Sequence, residues 1–153
     1  MKLLYCYCEM AYWTFFNFVN ESGENLIQDW ISGLAPSAKL KIKTRLDAYL
    51  RNFQAMKALP GLPLTKMLDG EGDGLFEIRF KVKSVQYRPL CFYGPERSEI
   101  TILMGAMEKN NKFVPLAACS IAQGRRALVM SKRRYVREHD FGWIPANSRK
   151  SAS

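Results

Sequence analysis

Residues 75–107 read LFEIRFKVKSVQYRPLCFYGPERSEITILMGAM, and this stretch decides the fold that the sequence predicts. Apolar and polar residues alternate along 75–83, which is the period-two pattern of a strand with one buried face. The apolar run at 85–93 follows after a short break. The turn sequence GPERS at 94–98 then leads into 100–107. This spacing predicts an antiparallel meander of three strands.

Aromatic and β-branched residues mark a further strand ahead of the meander. Residues 13–19 read WTFFNFV, which predicts a first strand, and the sequence NESG that follows ends it. Apolar residues then recur at helical spacing at 26–34 and at 42–53, so we expect two helices. The Pro- and Gly-rich stretches at 60–63 and 69–74 are predicted loops, the second of them a flexible turn.

A third helix is predicted from Leu116 to about Met130, and the pattern can continue through Arg137. The predicted order is therefore β-α-α-β-β-β-α. This is an α+β fold with a small antiparallel or mixed four-stranded sheet, a helical hairpin packed on it and a basic C-terminal helix. We divide the chain into an N-terminal extension of uncertain status (1–12), one domain (13–140) and a polar tail (141–153) that we expect to be disordered.

Several classes of protein are excluded by composition. No stretch reaches the roughly 18 to 20 apolar residues that cross a membrane, and no small-residue cleavage site follows the N-terminus. Four cysteines without an obvious pairing and one histidine, His139, argue against a disulfide framework and against a zinc site. We therefore expect a cytoplasmic protein with reduced thiols and no metal or cofactor. His139 stands between charged residues, and we expect it to be exposed and without a role.

The charge of the chain is confined to its second half. The net charge is +9, from 23 Lys and Arg against 14 Asp and Glu. Residues 1–74 contain eight basic and eight acidic side chains, whereas residues 75–153 contain fifteen basic and six acidic ones. A field of one sign indicates a polyanionic partner.

Strand alternation predicts a cationic face on the meander. It places Glu77, Arg79, Lys81 and Lys83 on one face of the sheet, opposite the apolar residues. Because the 85–93 strand lies between its two neighbours, we expect Arg79, Arg88 and Lys109 to converge on one surface. That arrangement suits phosphate binding, with Tyr87 beside it to stack a base. The alternative is a solvated cationic face without a role.

Further cations extend this predicted surface toward the C-terminus. We predict that they contact the backbone of a long polyanion such as RNA. The predicted RNA-binding residues are Lys83, Lys112, Arg125, Arg126, Lys132, Arg133, Arg134 and Arg137. Other catalytic signatures are missing, since the acidic loop 69–74 is not a phosphate-binding loop and one histidine does not supply a Ser-His-Asp mechanism.

Three segments resemble a known family. They are LFEIRF at 75–80, VQYR at 85–88, and ITIL at 100–103 in a strand that ends at Lys109 and is followed by a basic helix. Together they resemble the RelE/ParE superfamily of toxins, most closely its HigB-type, phage-derived branch, over Trp13 to Val129. The sequence departs from the family pattern in three ways. Phe76 stands where Trp is commoner, the chain runs past the usual end, and no residue matches the C-terminal catalytic tyrosine or histidine of some members.

The resemblance implies the toxin of a type II toxin–antitoxin system, an endoribonuclease (mRNA interferase) that cuts mRNA on the ribosome. It also implies a cognate antitoxin with a helix-turn-helix domain as partner. By position, Arg79 matches a basic residue on the second strand of the family, Tyr87-Arg88 its Tyr-Arg pair, and Lys109 the basic end of its fourth strand. Lys112 and Pro115 resemble the entry to the last helix, with altered spacing.

The reaction that suits these residues is attack of the ribose 2′-OH on the adjacent phosphate. Arg79 and Arg88 would stabilise the charge on phosphorus. Either Lys81 or Lys109 would act as base or acid, and Tyr87 would stack the base, orient the hydroxyl or lie in the core. Two other functions stay open at this point, a non-catalytic basic RNA-binding or phage-derived interaction module of the same fold and a ParE-like inhibitor of DNA gyrase.

Overall fold

The structure of the protein is a computed structural model that describes residues 11–146. Within this range it is an α+β fold with three helices and ten short strands. The helices are α1 (Leu26–Ser32), α2 (Lys39–Gln54) and α3 (Ala118–Ser131). The strands are β1 (Thr14–Phe18), β2 (Thr65–Met67), β3 (Phe76–Ile78), β4 (Phe80–Val82), β5 (Val85–Tyr87), β6 (Leu90–Tyr93), β7 (Glu99–Met104), β8 (Met107–Lys109), β9 (Lys112–Val114) and β10 (Val136–Glu138).

The ten strands form two sheets. One has six strands in the order β10-β1-β7-β6-β3-β2, and the other has four in the order β4-β5-β8-β9. The pairing of β1 with β7 is parallel and all other pairings are antiparallel, so the larger sheet is mixed. The predictions of a single four-stranded sheet and of the order β-α-α-β-β-β-α are therefore wrong, although the α+β class is confirmed.

The two sheets arise because each of the three predicted meander strands is interrupted. The first is broken at Arg79, the second at Arg88 and Pro89, and the third at Gly105 and Ala106. Proline has no N–H for a strand ladder, and a Cβ on Gly105 would overlap the Trp30 ring that packs over it. Alternation predicts none of the three breaks, because it depends only on which side chains are apolar.

The third helix is shorter than the basic sequence suggests. It ends at Ser131, and Lys132 has extended backbone angles. After a short 3-10 turn, β10 pairs antiparallel with β1. The prediction that the helix can continue through Arg137 is therefore wrong. The physical reason is Tyr135, which is buried and stacks on Phe18 with a centroid distance of 6.2 Å.

The larger sheet lies between α1 and α2 on one face and α3 on the other. The side of α1 and α2 buries the apolar set of the first meander strand, which is Phe76, Ile78, Phe80 and Val82. The side of α3 buries residues such as Leu75, Leu90 and Val129. The alternation predicted for 75–83 is thus confirmed, and it directs Glu77 toward the α3 side.

The chain on either side of the predicted domain is described only in part. Phe141 and Trp143 pack against the core beside α1 and α2, although the sequence assigns them to the tail. The rest of the predicted extension and tail, at 1–10 and 147–153, lies outside the described residues. None of the helices in residues 11–146 is long and apolar enough to cross a lipid bilayer.

Candidate active site at the bend of the sheets

Two arginines and two glutamates meet where the bent strands pass from one sheet to the other. Arg79 separates β3 from β4, and Arg88 lies just after β5. Glu77 of β3 forms an ion pair with Arg79, and its Oε2 lies 3.5 Å from Nε of Arg88. Glu108 of β8 also reaches Arg88, because β5 and β8 pair with Gln86 opposite Glu108. These four charges form one neutral cluster.

Arg88 is the buried centre of this cluster, with 3 % of its surface exposed. Its Nε donates a hydrogen bond to Oε1 of Glu108 at 3.2 Å. Its Nη1 donates to the backbone carbonyl of Tyr87 at 2.9 Å, and its Nη2 donates to the side-chain oxygen of Gln86. A buried guanidinium requires such partners in place of water. Arg88 is therefore a buried residue that pairs with both glutamates. The sequence predicts instead that it lies on the surface that contacts phosphate.

A depression of about 230 Å³ opens beside the cluster. Its lining includes three carboxylates, three cations and an aromatic ring, which belong to Asp69, Glu77, Glu108, Lys66, Arg79, Lys112 and Phe113. The two lysines are exposed and Phe113 is half-buried. Cations of this kind bind phosphate oxygens, an aromatic face stacks on a base, and a carboxylate can accept a proton.

The structure brings some of the predicted catalytic residues together. Arg79, Lys81 and Arg88 line a neighbouring open groove of about 440 Å³, so that Arg79 borders both spaces. Arg79 is half-buried and Lys81 is exposed. Arg79 is therefore the predicted cation that is best placed to contact a ligand in either space.

Two other predicted catalytic residues lie elsewhere. Lys109 is exposed at the end of β8, opposite Lys112, and does not line either space. Tyr87 is buried on the face of β5 that packs against the core, where it stacks on Phe80 at a centroid distance of 5.7 Å. Burial raises the pKa of the Tyr87 hydroxyl. It is a core tyrosine, which is the last of the three positions that the sequence left open for it.

Of the predicted RNA-binding residues Lys83 and Lys112, only one lines the depression. Lys112 lines the depression with Arg79. Lys83 lies in the tight turn between β4 and β5, where it has a φ of 49° and is exposed. It lines neither of the two spaces.

Most of the C-terminal cations hold this part of the chain on the sheet. Arg125 donates to the carbonyl of Leu103 at 2.9 Å and lies over the Phe18 ring, and burial lowers the pKa of its guanidinium. Arg133 makes two hydrogen bonds to Glu99, at 2.6 and 2.7 Å. This contact lowers the pKa of Glu99 and raises that of Arg133.

Three further C-terminal arginines have partners as well. Arg126 donates to the carbonyl of Asp73, Arg134 to Glu21, and Arg137 to the carbonyl of Gly23. Lys132 is exposed and makes no ion pair within residues 11–146. The basic end of α3 is therefore mainly an attachment to the sheet, and the cations that border a concave space lie on the meander.

Sequence reasoning missed Glu108, Lys66 and Phe113 as residues of the site. Alternation does place Glu77 beside Arg79, and a carboxylate between buried apolar neighbours is a usable signal. Glu108 enters only because β8 pairs with β5, and Phe113 only because β9 returns along β8. The pairing of β5 with β8 leaves no local trace in the sequence. The β8–β9 hairpin does, because its two-residue turn is Asn110-Asn111, both with positive φ, and asparagine favours such a turn.

His139 differs most from its prediction. It is 4 % exposed, and its ring nitrogens lie 2.9 Å from Oδ1 of Asn17 and 2.8 Å from Oδ1 of Asp47. Asp47 also forms an ion pair with the buried Lys43. The histidine is therefore part of a polar network that joins β1, α2 and the segment after β10, so the prediction that it is exposed is wrong.

The cysteines in the described range are free thiols. Cys91 and Cys119 are buried and unpaired, and burial raises the pKa of each. Cys6 and Cys8 lie outside the described residues. No three metal-ligating side chains come together in the part of the chain that the structure describes.

Comparisons with protein-family models, with curated proteins and with solved structures gave no significant match to this chain.

Proposed function

We propose that this protein is an endoribonuclease, the toxin of a type II toxin–antitoxin system of the RelE/ParE superfamily, closest to its HigB-type branch. The observation that supports this proposal best is the depression at the bend. There Arg79 and two lysines border the same space as three carboxylates and an aromatic ring. This set combines a phosphate ligand, a proton acceptor and a stacking surface, which cleavage of single-stranded RNA requires.

The positive field of the second half supports an RNA substrate. A chain with a net charge of +9 attracts a polyanion at long range, and this attraction weakens with salt. In the proposed reaction Arg79 and Lys112 stabilise the charge that develops on the phosphate oxygens. Phe113 stacks on a neighbouring base and so holds the scissile bond in the depression.

The test is cleavage of mRNA, bound to ribosomes and free in solution, by the purified protein and by Arg79→Ala. We expect the wild type to produce defined fragments and Arg79→Ala to be about 100-fold slower, which is a typical cost of removing one charge-stabilising group. Arg97→Ala is the matched control, because Arg97 is exposed in the β6–β7 turn. Full activity of Arg79→Ala would contradict the assignment of the site.

One observation favours a second function, a non-catalytic RNA-binding module. Arg88 is saturated by protein partners. The three carboxylates that line the depression offset its three cations, which leaves no net positive charge there. This function predicts salt-dependent RNA binding without any cleavage, in every assay format. Breakage of DNA with intact mRNA would instead indicate the gyrase-directed branch.

The proposed partners are mRNA, the ribosome and a helix-turn-helix antitoxin, and the proposed location is the cytoplasm. Co-expression tests the antitoxin. A neighbouring gene for a small helix-turn-helix protein should restore growth that the wild-type chain arrests. If growth is arrested and no such gene product relieves the arrest, the toxin–antitoxin part of the proposal fails while cleavage can still be measured.

A further inference from the structure

We propose that Glu108 is the general base of this site and that the buried Arg88 is the residue that positions it. This inference rests on the proposed function, because it names the group that takes the proton from the attacking ribose hydroxyl. It replaces the lysine bases that the sequence suggests, since Lys109 does not line the depression and Lys81 lies in the neighbouring groove.

Three carboxylates line the depression, and their surroundings differ. Asp69 is exposed and forms no ion pair among the described residues, so no cation fixes its position. The side chain of Glu77 is only 4 % exposed and is paired with both arginines. The side chain of Glu108 is 24 % exposed, so a substrate can reach it. Among the described residues, Glu108 uses Oε1 to accept from Arg88, and its other oxygen makes no hydrogen bond. That second oxygen is available to a ribose hydroxyl.

The contact with Arg88 makes Glu108 a positioned base rather than a mobile surface glutamate. Nε of Arg88 lies 3.2 Å from Oε1, and Arg88 is itself held at Nη1 and Nη2 by its own strand. Because the guanidinium cannot move, it restricts the rotation of the carboxylate. A preset geometry of this kind lowers the cost of reaching the transition state.

The proposed step is balanced without a metal or a co-reactant. The ribose 2′-oxygen forms a bond to the adjacent phosphorus while its proton passes to the free oxygen of Glu108. The bond from phosphorus to the 5′-oxygen breaks, and the 5′-oxygen takes a proton from water. The products are a 2′,3′-cyclic phosphate and a 5′-hydroxyl, and Glu108 returns its proton to the solvent.

The first experiment compares Glu108→Gln with wild type on an RNA that the wild type cleaves. We expect kcat to fall about 100-fold or more, which is the usual contribution of a general base. Affinity for an all-2′-deoxy oligonucleotide of the same sequence should not fall, because glutamine preserves the shape of the side chain and removes one negative charge from a space that binds phosphate. Glu96→Gln, which changes an exposed glutamate in the β6–β7 turn, should leave both quantities unchanged.

The second experiment separates a base from a structural role. In Glu108→Ala, formate added to the assay should restore part of the lost rate, since it can enter the space left by the side chain and accept the proton. Arg88→Lys keeps the charge but lacks the Nε–H. It should lower kcat about tenfold with little change in KM. A purely structural defect would instead lower the melting temperature without this selective loss of kcat.

The outcomes separate the two proposals. If the wild type cleaves RNA and Glu108→Gln keeps kcat within threefold, the inference is overturned and the proposed function stands. If Glu108→Gln does not fold, Glu108→Asp retains the charge and should still be about tenfold slower than wild type, and full activity of this variant would also overturn the inference. If the wild type cleaves no RNA in any format, the proposed function fails first.

Discussion

Replacement of His139 by alanine should strongly destabilise the protein, although this residue lies outside the proposed active site. The ring bridges Asn17 of β1 and Asp47 of α2, through contacts of 2.9 and 2.8 Å. It also packs edge-on against Phe141 with a centroid distance of 4.8 Å. The substitution therefore removes the polar link between the central sheet, the helical hairpin and the segment that follows β10.

The expected loss of stability in His139→Ala is the sum of three contributions. Asn17 is 1 % exposed, and its carbonyl oxygen would keep no partner and no water, at a cost of about 1–3 kcal/mol. Asp47 keeps Lys43 and loses one hydrogen bond, which adds about 1 kcal/mol. The cavity left by the ring adds a further contribution of about 1 kcal/mol. We therefore expect the free energy of unfolding to fall by about 3–5 kcal/mol.

Urea denaturation, followed by far-ultraviolet circular dichroism at pH 7, measures this change. Glu138→Ala is the matched control, because Glu138 precedes the histidine in sequence and is exposed; it should change the stability by less than about 0.5 kcal/mol. A loss below about 1 kcal/mol for His139→Ala would refute the reasoning. It would show that water replaces the ring and that the network is not structural.

Three further predictions concern packing, thiol reactivity and pH. Gly105→Ala should lower the free energy of unfolding by about 2 kcal/mol or more, because an added Cβ would overlap the Trp30 indole. Gly124→Ala, in an open part of α3, should raise it by about 0.5–1 kcal/mol. Thermal unfolding compares the two variants. Burial raises the pKa of Cys91, so this thiol should not react with iodoacetamide at pH 8 until urea unfolds the chain. Peptide mass spectrometry detects the modification. The hydrogen bond from Arg133 lowers the pKa of Glu99 in the folded protein. The contact therefore stabilises the fold at pH values above the pKa of an unfolded glutamate, and this stabilisation is lost as the pH falls below about 4. Arg133→Ala should therefore lower the free energy of unfolding by about 0.5 kcal/mol more at pH 7 than near pH 2, where only the contact of Arg133 with the Phe16 ring is lost. An equal cost at both pH values in urea titrations would show that the pair does not contribute through charge.

The residues of the candidate site show how far sequence reasoning reaches. Alternation in 75–83 correctly directs Phe76 and Ile78 into the core and Glu77 and Arg79 to the other face, because side-chain direction in a strand is a local property. The same alternation cannot tell whether Arg79 has a partner. That depends on the position of each carboxylate after the strands have paired.

The sequence by itself determined the α+β class, the helices that cover the meander and the confinement of net charge to the second half. These properties follow from residue type and spacing over a few positions. Only the tertiary structure decided which charges remain available to a ligand. Arg133 meets Glu99 across 34 residues and His139 meets Asp47 across 92. The energy of such a pair depends on distance and burial in space, and separation along the chain carries no information about either.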